Sequence, residues 1–159
     1  MTDSSEAASA FTRMLHAIDA KDWDGVRRAF ADHVDIDYSS LFGVPAARVN
    51  ADEHVAGWRA FAQAFDATQH VTGPIVVSPE PPDRAIAQTH VRAYHRIAGA
   101  AGGGTWMVAG HYEVRLAPCQ GTWVIAAITL RVFYQDGNLG IPEMARSRVA
   151  ASTRAPRER

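Results

Sequence analysis

Apolar residues in the first stretch of the chain recur every three or four positions, at Ala8, Phe11, Met14, Leu15 and Ile18. That is the spacing of one helix face, and Ser4 or Ser5 ahead of it can cap the start, so the pattern predicts a helix over residues 5–20. Asp22 is a suitable N-cap for a second, short helix from Trp23 to Ala31, with Trp23, Val26 and Phe30 on one side. The period then changes to two. Val34-Asp35-Ile36-Asp37-Tyr38 alternates strictly and predicts a strand with Val34, Ile36 and Tyr38 inward and both aspartates outward. Gly43 and Pro45 mark residues 41–50 as a loop. A third helix opens at Ala51-Asp52-Glu53, carries Val55, Trp58, Phe61, Ala62 and Phe65, and is expected to end near Thr68.

The second half reads as strands: Gln69 to Ser78, a turn at Pro79, Pro81 and Pro82, then Arg84 to Ile97, Thr105 to Leu116 and Thr122 to Tyr134. The last of these is apolar on both faces, with Trp123, Ile125 and Ala127 against Val124, Ala126, Ile128 and Leu130. It should therefore be central and covered on both sides. Three helices followed by a meandering antiparallel sheet make an α+β domain in which a curved sheet wraps the helices and leaves a pocket. This single domain is expected over residues 1–145, followed by an Arg-rich disordered tail over 146–159 with Arg146, Arg148, Arg154, Arg157 and Arg159. The glycine-rich run Gly99 to Gly104 precedes no helix, so it lacks the arrangement that cradles phosphates.

Composition narrows the partners. With a formal charge of −1 over 159 residues, there is no bulk attraction for nucleic acid or anionic lipid. A single cysteine, Cys119, excludes an internal disulfide and fits a reducing compartment. No apolar run reaches the roughly twenty residues that span a bilayer, and the first residues lack a signal-peptide pattern, so the expected location is the cytoplasm.

Strand alternation sorts the histidines. On Arg84 to Ile97, His95 shares the small, apolar face with Ala85, Ala87, Thr89, Val91 and Ala93, while His90 lies on the polar face. His111 lines up with Glu113 and Arg115 as a surface or edge residue. His95 is either a buried histidine satisfied for structural reasons or a residue of a cavity left by its small neighbours. Asp19 is anomalous too. A carboxylate at the edge of an apolar stripe and at a helix C-terminus is disfavoured by the dipole and by burial, unless it swings out to water or meets a partner such as a histidine. Pro74 and Gly73 blur the alternation around His70, whose face stays unassigned, and Tyr38 can simply pack with its phenol at a rim. No metal-ligand spacing occurs, and Ser39, Ser40 and Cys119 lack a nucleophile's setting.

Four segments in order, Ile18-Asp19-Ala20-Lys21-Asp22-Trp23-Asp24, Ile36-Asp37-Tyr38, Thr68-Gln69-His70 and Arg92-Ala93-Tyr94-His95, resemble the scytalone dehydratase group of the SnoaL-like, nuclear transport factor 2-like superfamily. The resemblance runs from about residue 6 to residue 138. It implies a cone of curved antiparallel sheet closed by three helices, and an Asp–His dyad falling on Asp19 and His70. A second active-site histidine falls on His95, and a substrate-facing tyrosine on Tyr38. The group's second tyrosine is here Ile18, and its polar Ser and Asn on the strand after Gly-His fall on Val114 and Leu116, so the pocket is greasier than that of a scytalone dehydratase.

The implied activity is a lyase that needs no cofactor and removes water from a β-hydroxy carbonyl compound of polyketide, aromatic or steroid-like type. His70 would be the base, Asp19 its partner, His95 the group that holds or protonates the departing hydroxyl, and Tyr38 the enolate's donor. Candidate apolar walls are Phe11, Met14, Ile18, Leu41, Trp58, Phe61, Val114, Leu116 and Phe133. A cyclase or isomerase using the same dyad, and a non-catalytic module that binds an apolar or aromatic small molecule, remain open alternatives. Related domains self-associate, so a homo-oligomer, trimer or dimer, is expected.

Overall fold

The first apolar stripe forms helix α1, Ser4–Asp19, in the computed structural model, which describes residues 4–154. Ala7, Ala10, Phe11, Met14, Leu15 and Ile18 are its buried face, so the helix is held by the sheet beneath it more than by its own propensity. Asp22 caps α2, Trp23–Arg28, by accepting from the Gly25 amide. The helix stops short of Ala31. Phe30 instead starts strand β1, Phe30–Asp37, opposite Ile125, because a buried phenylalanine four residues after Val26 satisfies a helix period and a strand start equally well.

The expected loop contains a four-residue helix, α3, Ser39–Phe42, closed by Gly43 at φ 69°, and a strand, β2, Ala47–Asn50, paired antiparallel to β1 with Val34 opposite Val49. Both are too short to show a period. Asn50 then caps α4, Ala51–Ala62, by accepting from the amides of Asp52 and Glu53. That helix ends six residues before the expected Thr68, since the Asp66 amide is already bonded to the Arg96 carbonyl of the sheet. Strands β3, Ala67–Thr72, and β4, Val76–Glu80, both pair with β5, Arg84–Arg96. What reads as one strand is split because Gly73 and Pro74 interrupt its ladder.

The remaining strands are β6, Thr105–Cys119, and β7, Thr122–Gly137, and the sheet order is β2-β1-β7-β6-β5-β3 with β4 also on β5. The architecture is the expected α+β one with a curved sheet, but the sheet is mixed. β1 lies parallel to β7, a pairing between distant segments that no local pattern announces. β7 is interior to the sheet, as its doubly apolar pattern predicts. The expected double cover is not there: Ala127 and Thr129 face an open concavity with Asp35, Arg48, Glu113 and Arg115, and beyond Leu130 the residues Arg131, Phe133 and Tyr134 are exposed. Register shifts at Ala109/Gly110 and at Arg115/Leu116 bend β6 against β7, and such bulges increase twist and let a sheet curl over its helices. Gly110 sits in the first bend, where a Cβ would meet the Arg131 carbonyl oxygen at 2.5 Å.

Residues 141–154 form helix α5, Ile141–Arg154, where the tail was expected from residue 146. Ile141 and Ala145 are fully buried against Phe65, Ile97 and Trp106, and Arg148 donates to the Ala64 carbonyl at 2.9 Å. Two anchoring positions one turn apart among many arginines give too weak a stripe to predict this docking. The rest of the expected tail, with Arg157 and Arg159, lies outside the described residues. No helix among the described residues is long and apolar enough to cross a membrane.

Candidate active site

The anomalous carboxylate at the end of α1 has partners for both of its oxygens. Asp19 Oδ1 lies 2.7 Å from His70 Nδ1 and accepts from the Thr68 hydroxyl at 2.9 Å, while Oδ2 accepts from the His70 amide at 2.7 Å. Thr68 and His70 are two residues apart on β3, so the pleat turns both toward α1. Gly73 and Pro74 obscure this face in the sequence, but they follow it and leave it intact. Burial pushes the Asp19 pKa up, yet the His70 side chain, its charge, its amide and the Thr68 hydroxyl outweigh that and hold it below the ordinary carboxylate value. An ionised carboxylate only accepts hydrogen bonds, so His70 Nδ1 carries a proton, and in the neutral ring the lone pair is on Nε2.

His70 faces a cavity of about 110 Å³ between the sheet and the helices. From the sheet, Thr68, His70, Ala93, His95, Trp106, Val108 and Tyr112 line it, and Tyr38, Leu41, Phe42, Trp58, Phe61 and Phe65 line it from around α3 and α4. Alternation on β5 does turn His95 inward. Its ring is 6.2 Å from that of His70 and nearly perpendicular to it, and it lies against Trp106 at 4.4 Å and Phe65 at 5.0 Å. Its Nδ1 is buried without a hydrogen bond of good geometry. Burial, with the nearby His70 charge, pushes its pKa down to about 4, so the imidazole is neutral at neutral pH.

Tyr38, the residue after β1, stacks on Trp58 with an interplanar angle of 4° and ring centroids 5.8 Å apart. Its neighbour is Tyr112, with centroids 6.4 Å apart and the two side chains hydrogen-bonded. Burial pushes the Tyr38 phenol well up, aided by Tyr112, and burial pushes Tyr112 up to about 12. Both therefore stay protonated as donors. Tyr112 was not among the candidate site residues, although it shares the inward face of β6 with Trp106 and Val108; what hid it was reading that face as core alone.

Of the expected apolar walls, Ile18, Leu41, Trp58 and Phe61 line the cavity. Phe11, Met14, Val114 and Leu116 do not; they are buried in the core between α1 and the sheet. On β6 the cavity is lined near Trp106 to Tyr112, and Val114 and Leu116 lie further along the strand, past that end. Phe133 is 61% exposed on the other side of the sheet, where it meets the His90 ring at 5.6 Å. Alternation from the buried Leu130 carries Val132 inward and Phe133 outward. Among the described residues, no group of three or more His, Cys, Asp or Glu side chains is gathered as a metal site.

A second buried imidazole, His54 on α4, lies 4.4 Å from the Trp58 ring with its Nε2 unpartnered, and burial pushes its pKa down to about 4 as well. An unfolded histidine titrates near 6.5. The neutral forms of His54 and His95 thus stabilise the fold fully above about pH 6.5, and that stability is lost as pH falls toward 4. His95 accounts for up to about 3 kcal/mol, and the more solvated His54 for less. Urea midpoints measured from pH 7 to pH 4 should fall steeply through this window, and less steeply in His54→Phe.

A family model described as SnoaL-like domain matches residues 1–129. Among solved structures, a protein of Kribbella flavida, Kfla4162, is similar at 30% identity, with 91% of this chain and 97% of that chain covered and a TM-score of 0.81. A presumed scytalone dehydratase of Novosphingobium aromaticivorans superposes with a TM-score of 0.73 at 16% identity, covering 84% of this chain and 86% of its own. The hexachlorocyclohexane dehydrochlorinase LinA-type3 of Novosphingobium barchaimii does so with a TM-score of 0.67 at 12% identity, covering 86% and 90%. No curated protein matches the sequence.

Proposed function

The chain belongs to the SnoaL-like domain family, and from that premise we propose that it is a carbon–oxygen lyase that eliminates water from a β-hydroxy carbonyl compound. The observation that carries this reading is the ionised Asp19 on Nδ1 of His70, 2.7 Å away, at the wall of a mostly apolar cavity. An imidazole held in this tautomer presents Nε2 as a base to whatever the cavity holds, and the carboxylate stabilises the imidazolium formed when it accepts a proton. Nε2 removes the proton α to the carbonyl, and the resulting enolate oxygen is received by the phenol of Tyr112, with Tyr38 behind it. Collapse of the enolate forms the double bond and expels the hydroxyl, which takes up the proton from His70 and leaves as water. Neutral His95 is too weak an acid to supply that proton, so its part is to hold the departing oxygen by a hydrogen bond. The product is the α,β-unsaturated carbonyl compound.

The same economy of groups favours a second reading. One imidazole performs both proton transfers, and a proton returned to another carbon instead of to oxygen gives a double-bond isomerase or, with an internal carbonyl as electrophile, a cyclase. Mass spectrometry of the product separates the two. Loss of one water from a β-hydroxy ketone is the expected result; an unchanged mass with a shifted absorption spectrum supports isomerisation. A recovered ligand that stays unaltered over hours assigns the cavity to binding alone.

A further inference from the structure

The lining of the cavity also constrains the charge and size of its occupant. Neither lysine nor arginine is among the lining residues, and the carboxylate nearest to them, Asp19, has both oxygens committed to Thr68 and His70. An anion placed there would be stripped of water with no cation to receive it, next to a negative charge. A cation would gain the faces of Trp23, Trp58 and Trp106, worth about 0.5–2 kcal/mol. That falls short of the several kcal/mol that desolvating an unpaired ion costs. Only uncharged molecules escape both penalties.

Size follows from volume and from the walls. An apolar cavity of roughly 150 Å³ takes up benzene, and here the space is about 110 Å³. Phe61 packs edge-on against Phe65 at 5.0 Å and against Phe42 at 6.1 Å, where the lining reaches the surface. Four of the lining rings are paired, Tyr38 stacked on Trp58 and His95 tilted against Trp106. The polar atoms gather at the imidazoles and at the two phenols.

We infer that the substrate is an uncharged carbonyl compound bearing a single flat ring, smaller than the polycyclic polyketide or steroid-like molecules that the family resemblance suggests. The inference rests on the lyase reading only in taking this cavity as the substrate site. Its test is binding, followed by tryptophan fluorescence, since three of the four tryptophans line the cavity. Benzaldehyde, benzoate, benzylamine, 1-tetralone and a four-ring steroid ketone are titrated into the wild type and into His70→Ala. Benzaldehyde should bind at least about tenfold more tightly than each of the others, in both proteins. Equal or tighter binding of benzoate or benzylamine overturns the uncharged assignment, and tighter binding of tetralone or the steroid overturns the single-ring one. Absence of turnover with any hydroxy ketone, alongside the expected binding order, sinks the lyase reading and leaves this one standing.

Discussion

His70→Ala should lower kcat by about a hundred- to ten-thousand-fold, the usual contribution of a positioned general base, with little change in KM. The variant should stay folded, because His70 packs its ring at the cavity wall and its amide bond to Asp19 Oδ2 belongs to the backbone. Asp19→Asn probes the positioning residue behind the base. An amide cannot stabilise an imidazolium as a carboxylate does, and its NH2 end favours the tautomer with the proton on Nε2, which no longer acts as a base. A kcat loss in the same range is expected, again with KM nearly unchanged. Asp19 also bonds Thr68 and the His70 amide, so a stability loss of about 1–2 kcal/mol should accompany it. The split between kcat and KM separates the two effects, since a merely loosened contact between α1 and β3 would weaken binding along with turnover. Wild-type kcat in either variant removes the dyad from the reaction.

How far the sequence foretold this site depends on the range of the signal. His95 was legible because strand alternation is strictly local: Ala85, Ala87, Val91 and Ala93 are buried while His90 and Arg92 are exposed. Asp19 was legible as an electrostatic misfit needing a partner, but its partner came from the family resemblance, because Gly73 and Pro74 break the alternation beside His70. The resemblance also placed Val114 and Leu116 in the pocket, but they pack in the core with α1, on a strand that carries two bulges. A bulge costs one residue and leaves little trace in hydrophobic pattern. Phe133 failed for a related reason, since an aromatic residue near the end of a strand carries no mark of its face until the register is known. The parallel β1–β7 pairing and the docking of α5 depend on contacts between distant segments. They were invisible to any window of ten or twenty residues.

The second large effect concerns a residue that this local reading left out. The sequence nominated Tyr38 as the enolate's donor, but the structure sets Tyr112 beside it, the two phenols share a hydrogen bond, and the Asp19 charge acts on Tyr112. Tyr112 is thus the phenol nearer the dyad. Tyr112→Phe should therefore lower kcat by about a hundred- to a thousand-fold, the cost of losing one oxyanion donor, while Tyr38→Phe, acting through its neighbour, should lower it only about tenfold. Each substitution removes one oxygen and keeps the ring, so the Phe11 and Trp58 packing persists, and the lost hydrogen bond between the two buried phenols should cost about 1–3 kcal/mol of stability. If the phenols act in series, the double variant should be hardly slower than Tyr112→Phe alone, because Tyr38 has nothing left to polarise. Multiplicative losses would instead mean that both hydroxyls touch the enolate, and a larger loss in Tyr38→Phe would reverse the order. A steady-state double-mutant cycle on kcat reads all three outcomes.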